Sequence, residues 1–297
     1  MTSSNHTHAR ALQQDAKAWA DFTGCKYTTA LRQMTDPLAQ GFLGKRVSAR
    51  HLISTLEDHN LIGADGGEFV LGEWGFYSDD AWHFNQKTDY IELALISDML
   101  RMFTPLVDTE APEVGSYALK HTAEYFLGRH CPTVSYVSNG RLIWAAAAMG
   151  LSIAEYDRDG GPNLLIGVPE REHDYVRRMA RTRDDQPRGH HYRPAGYKHL
   201  QSALQRCAGG EPVEDRWVRS APKEESAPFH DWMVQQADRE DPIGDFAIEY
   251  AAGVRDSDHR IARTPDELMQ ILDEIPCSIG AYRAAEDAVS EWKRLVS

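Results

Sequence analysis

"YVSNGRLIWAAAAMGL", residues 136–151, decides the fold. Ser138 stands where a helix cap belongs, and Leu142, Ile143, Ala146 and Met149 recur at helical spacing. Gly150 then supplies a residue free to turn left-handed. Ala145 to Ala148 carry almost no side chain, so another backbone can come close. The expectation is a tight helix–helix contact in a core; a helix pressed into a groove is the other use of such a surface.

Upstream, "SYALKHTAEYFLG" predicts a second helix capped by Ser116 and ended by Gly128, with Leu119, Ala123, Phe126 and Leu127 on one stripe. Gly128 to Val137 is too long a separation for a helix-turn-helix, whose two helices are joined by about three or four residues. Downstream, Ile153, Tyr156, Leu164, Ile166 and Val168 alternate on either side of Asp159-Gly160-Gly161-Pro162, the pattern of a β-hairpin.

Further out, Leu12, Ala16, Trp19, Ala20 and Phe22 predict a helix stopped at Thr23-Gly24, and "YTTALRQM" a second one. Ser48 caps a third, carrying Leu52, Ile53 and Leu56. Thr88 is placed to cap a fourth, carrying Ile91, Leu95, Met99 and Met102 before Pro105. Between them, residues 69–84 are rich in Phe, Tyr and Trp and read as strand. The body is therefore α+β and mainly helical, with a small hairpin.

The chain has 297 residues and a net charge of −13. Residues 1–170 hold 13 basic against 21 acidic side chains, residues 171–210 hold 9 against 4, and residues 211–297 hold 10 against 20. A basic island thus separates two acidic lobes, a pattern that opposes indiscriminate polyanion binding but permits a local phosphate-facing patch. Arg177, Arg178, Arg181, Arg188, Arg193 and Lys198 make up that patch, with Tyr192 and Tyr197 among them, so that charge can hold a phosphate and a ring can stack a base. The other use of these arginines is pairing with the acidic lobes.

No window reaches the ~18 apolar residues of a membrane span, and the N-terminus lacks an apolar targeting core. The four cysteines are widely spaced. Both features suit a cytoplasmic, reducing setting. His173, His190, His191 and His199 share no ligand spacing, and no phosphate loop, dinucleotide fingerprint or nucleophile elbow is present. No metal, cofactor or catalytic residue is expected.

The tail carries a resemblance. "FHDWMVQQ", "DPIGDFAIEYA", "PDELMQIL" and the closing "AVSEWK", within residues 229–293, resemble the small bacterial YozE-like family, whose fold is likened to the sterile alpha motif. The residues agree: Asp241 caps a helix opening at Pro242, Thr264 caps one at Pro265, and Ile243, Phe246, Ala247 and Tyr250 face inward. The resemblance implies four short helices, an interaction module and no catalytic residues. "AKAWADFTGCKYTTALRQM", and "GSYALKHTAEYF" with "YVSNGRLIWAAAAMGL", resemble segments of uncharacterised bacterial, plasmid and phage proteins.

This gives a body over 1–185, a basic connector over 186–227 and a helical domain over 228–297. The leading functional reading is a non-enzymatic, DNA-associated or complex-organising adaptor of bacterial or mobile-element origin, its partners another bacterial protein and DNA, with no membrane; a purely protein-binding scaffold is one alternative. The rival is an enzyme whose site lies between residues 69–84 and the "YVSNG" helix start. His83 and His121 are its acid–base candidates, and an anion would sit at Asn139 and Gly140.

Overall fold

The computed structural model describes residues 2–65, 68–77, 81–106, 111–131, 136–156, 161–181, 193–211, 217, 227–256, 260–275 and 277–296. These are mainly helical, with small antiparallel sheets. They divide into two compact units, one of residues 1–183 and 196–218, the other of 184–195 and 219–297.

In the first unit, α1 (Thr2–Thr23) packs on α2 (Tyr27–Thr35) and α3 (Ala49–Asp58). Gly24, at φ +71°, turns the chain between the first two. α4 (Asp89–Arg101) and α5 (Ser116–His130) lead to α6 (Asn139–Ala148), which touches α3, α4 and α5. All ten residues of α6 are buried. The four alanines let its neighbours close in, and Trp144 fills the space beyond them, its indole N–H donating to the Leu52 carbonyl at 2.7 Å. Trp19, Phe22, Trp82, Phe84 and Tyr90 link with Trp144 into one aromatic cluster. The opening stretch is thus the central core helix.

Ser138 caps α6 by accepting from the Arg141 N–H at 3.2 Å, and Gly150, at φ +72°, ends it. Ser48 caps α3 in the same way. Two other expected signals are used differently. Ser116 lies inside α5, and its hydroxyl accepts the Leu164 N–H of a strand instead of an N–H of its own first turn. Gly128 does not stop α5, which runs on to His130 because Arg129 reaches the Met179 carbonyl and His130 packs on Phe126. Thr88 precedes α4 without a capping bond and donates to Glu92.

Residues 64–76 form two tight two-residue ladders, β1 (Ala64–Asp65) with β2 (Glu68–Phe69) and β3 (Leu71–Gly72) with β4 (Gly75–Phe76). The expected hairpin exists as β6 (Ile153–Glu155) and β7 (Leu164–Ile166), with Ile153 opposite Ile166. A strand not read from the sequence, β5 (Val114–Gly115), adds to its other edge. Then follow α7 (Glu170–Arg181) and α8 (Tyr197–Ala208). α8 lies in the stretch read as connector, but it buries Leu200, Ala203 and Leu204 and sets Tyr197 against Phe126 and Tyr175, so it packs with the first unit.

The second unit holds α9 (Pro228–Gln235), α10 (Pro242–Asp256), α11 (Pro265–Glu274) and α12 (Ile279–Leu295) around an apolar core from Phe229 to Val289. Asp241 accepts the Gly244 N–H; at the start of α11 the Thr264 hydroxyl accepts the Glu267 N–H, and the Glu267 carboxylate accepts the N–H of Arg263, the residue before the cap.

Candidate functional site: an aromatic band at the start of α6

α5 carries Tyr117, Lys120, His121 and Glu124 at spacings of three and four, which places them on one strip of the helix. Glu124 is the hub. One carboxylate oxygen accepts Lys120 Nζ at 3.0 Å and the Val137 N–H at 3.2 Å; the other bonds His121 Nδ1 at 2.7 Å. Burial alone would raise this carboxyl's pKa, but Lys120, the Val137 amide and His121 together hold it below the usual value. Lys120, itself buried, also donates to the Val137 carbonyl at 3.2 Å. An ion pair from α5 therefore grips both backbone groups of the residue before the α6 cap, and fixes Tyr136 beside it.

From the other side, the β3–β4 hairpin presses on the same helix start. The Gly140 N–H donates to the Glu73 carbonyl at 3.0 Å, and a Cβ at Gly140 would overlap the Gly72 carbonyl oxygen. Asn139 Nδ2 donates to the Pro162 carbonyl at 2.8 Å, which also accepts the Phe76 N–H. Both residues proposed to receive an anion are thus engaged by protein carbonyls. Below them Arg141 gathers three carboxylates: Glu73 at 3.3 Å, Asp89 at 2.9 Å and Glu92 in a short contact. Burial works against its charge, and those neighbours more than restore it. His83 serves this network through its backbone, its N–H reaching Glu73 and its carbonyl accepting from Arg141.

Over this framework lie rings that face solvent. Trp74, at the hairpin tip, is 53% exposed and meets Tyr136, 48% exposed, at 6.3 Å between centroids. Lys120 Nζ sits 4.7 Å from the Tyr136 ring and 5.6 Å from that of Tyr117, which is 55% exposed and packs edge-on against His121. Tyr117 in turn lines a cleft of about 410 Å³ that Tyr156, 56% exposed, lines as well. Trp74, Tyr136, Tyr117 and Tyr156 thus follow one another as an aromatic band, joined by a ring contact, by Lys120 and by the shared cleft. No family model, curated protein or solved structure matches this chain.

The basic residues are distributed as follows. Arg177 and Arg178, on α7, both pair with Asp174, and the Arg181 guanidinium stands 5.0 Å over the Tyr125 ring. Arg193 falls in the second unit, and Lys198 is exposed on α8 of the first. Arg188 lies outside the described residues, as do His190 and His191. Among the described residues no group of three His, Cys, Asp or Glu side chains is arranged to hold a metal ion, and no helix is long and apolar enough to cross a membrane.

Sequence reasoning named His121 and the two converging segments, but missed the Lys120–Glu124 pair that joins them. Its signal was present as "KHTAE", with Lys and His four and three residues before the same Glu.

Proposed function

We propose that this protein is a non-enzymatic adaptor that binds another protein through the aromatic band. The observation that carries the reading is the band itself: four large rings, each about half exposed, held by a buried ion-pair lattice. Tyr and Trp give much contact area for little conformational entropy, and such residues concentrate at the centres of protein interfaces. Because Lys120 and Glu124 fix the segment in advance, a partner pays less to order it.

Charge favours a basic polypeptide over a nucleic acid. Around the rings stand Glu73, Glu113, Glu124, Glu170 and Asp174, which outnumber Lys120, Arg141, Arg177 and Arg178. The α7 arginines that would hold a phosphate share Asp174 or lean on Tyr125. We propose the tail, whose residues 229–293 resemble the YozE-like family, as a second binding module of this adaptor.

The test is capture from a bacterial lysate by the full chain, beside Trp74→Ala and Tyr136→Ala. A protein retained by the parent and lost from both variants supports the reading; retention of nucleic acid, displaced by salt and unaffected by either variant, transfers it to the arginines.

A catalytic reading has one observation in its favour. Glu124 fixes His121 through Nδ1, which is how a general base is oriented, beside the two segments the enzyme hypothesis named. Substrate turnover abolished by His121→Ala with folding intact would establish it.

A further inference from the structure

The cleft at the end of the band has a chemistry of its own. Its walls are β5 and the first turn of α5, Tyr156 at the end of β6, Asn163, and the face of α7 bearing Glu170, His173, Asp174 and Arg177. Gly115 leaves the floor bare: a Cβ there would lie 3.3 Å from the Tyr156 ring, which rests over it. About 410 Å³ falls within the ~300–1,000 Å³ of ligand pockets and exceeds what one planar head group fills.

Three carboxylates line it, Glu113, Glu170 and Asp174; Asp174 is taken by Arg177 and Arg178, and among the described residues no ion pair neutralises Glu113 or Glu170. His173 adds no charge near neutrality. It is buried and bonded to Thr122 at 2.9 Å, and burial, reinforced by Arg177, holds its pKa down to about 4. An anion would be poorly received. The amide that α7 could offer it, Glu170 N–H, already donates to Glu113 at 2.9 Å.

Two half-exposed tyrosine faces beside uncompensated carboxylates are what a cation requires. A planar one gains more than an ammonium, because it stacks on a phenol ring while donating in a fork to carboxylate oxygens. We propose that the cleft receives an arginine side chain of the partner polypeptide, stacked on Tyr156 or Tyr117 and hydrogen-bonded to Glu113 and Glu170. This deepens the protein-binding reading above and rests on it.

The probe is N-acetyl-arginine amide, titrated into the full chain and followed by NMR at the Gly115 amide and the Tyr156 ring, with the lysine and citrulline analogues in parallel. We expect saturable shifts with arginine, weaker ones with lysine and none with citrulline. Tyr156→Ala, and separately the pair Glu113→Gln and Glu170→Gln, should each weaken binding about three- to tenfold. Both changes fall on exposed or acceptor-conserving positions, so the fold is kept. Equal shifts from citrulline, or unchanged arginine binding in the variants, overturn the assignment.

Capture separates the two claims. A partner lost in Trp74→Ala but retained by Tyr156→Ala and by the neutralised pair overturns the cleft assignment and leaves the band. Binding of the probe with no partner captured by any form overturns the partner and the band together.

Discussion

In the first unit Asp15, Asp89, Asp98, Lys120, Arg141, Glu172 and His173 are all removed from solvent, whereas the core of the second, from Phe229 to Val289, is built from apolar side chains. The second unit depends on area and packing, with the Tyr250 hydroxyl satisfying the Ala262 N–H as its main internal polar tie. The first depends on charges that stay buried only while paired. Asp15 binds Ser48, Arg46 and Arg50; Asp98 accepts the Phe42 and Leu43 N–H groups; Glu172 holds both the amide and the hydroxyl of Thr104. Such pairs cost much desolvation and return little net stability, so their contribution here is positional. They hold loops, and the Arg141 and Glu124 groups hold the loops that carry the aromatic band.

The largest expected effect is Arg141→Met. Removing one cation leaves three carboxylates, two of them buried, without their common partner, and the first unit should lose about 3–5 kcal/mol, while the second keeps its own transition. Chemical denaturation followed by amide exchange in each unit measures this. Equal destabilisation of both units would erase the contrast.

Acid should divide the units next. The folded pKa of His173, about 4, lies below its ordinary 6.5, so the unfolded chain takes the proton first. That contribution is whole above pH 6.5 and is lost as pH falls toward 4, about 3 kcal/mol for a group this deeply buried. Burial also lowers His59 and His130, both in the first unit. Asp15 and Glu124, held below the usual carboxylate values against their burial, keep their contributions until still lower pH. In the second unit burial raises Tyr250 to about 12, a contribution lost only as pH rises past the ordinary phenol value of 10. Melting temperatures followed from pH 7 to 4 should fall for the first unit ahead of the second.

A smaller effect sharpens the picture of the second unit. Trp232 packs against Phe229 and Trp292 but is only partly buried, so Trp232→Ala should cost about 2 kcal/mol, below the ~3–5 of a fully buried aromatic. Phe229→Ala, at a buried ring, should reach that higher range. The smallest is Gly150→Ala. Open space surrounds the position, so only the left-handed backbone is penalised, by about 1 kcal/mol in urea titration.

What the sequence made legible was local. Ser48, Ser138, Thr264 and Asp241 cap helices with groups three residues away, and Gly24 and Gly150 turn left-handed as their positions required. What it hid was long-range. Ser116 spends its hydroxyl on Leu164, 48 residues on, and α5 crosses Gly128 because α7 supports its last turn. α8 looked like connector because glycine and proline precede it, although Tyr197, Leu200 and Leu204 already had helical spacing. The site was half visible. Both aromatic segments and His121 stood out; Lys120 and Glu124 did not, because Val137, the residue they hold, lies 17 and 13 residues further along the chain.

The most direct test of the central claim is photo-crosslinking in bacterial cells, with a photoreactive phenylalanine analogue in place of Tyr136, which keeps a ring in the band, and a control at exposed Glu57 on α3. The account predicts a discrete protein adduct at 136, absent from 57 and lost when Trp74→Ala is added. Adducts to nucleic acid alone, or the same products from both positions, would contradict it.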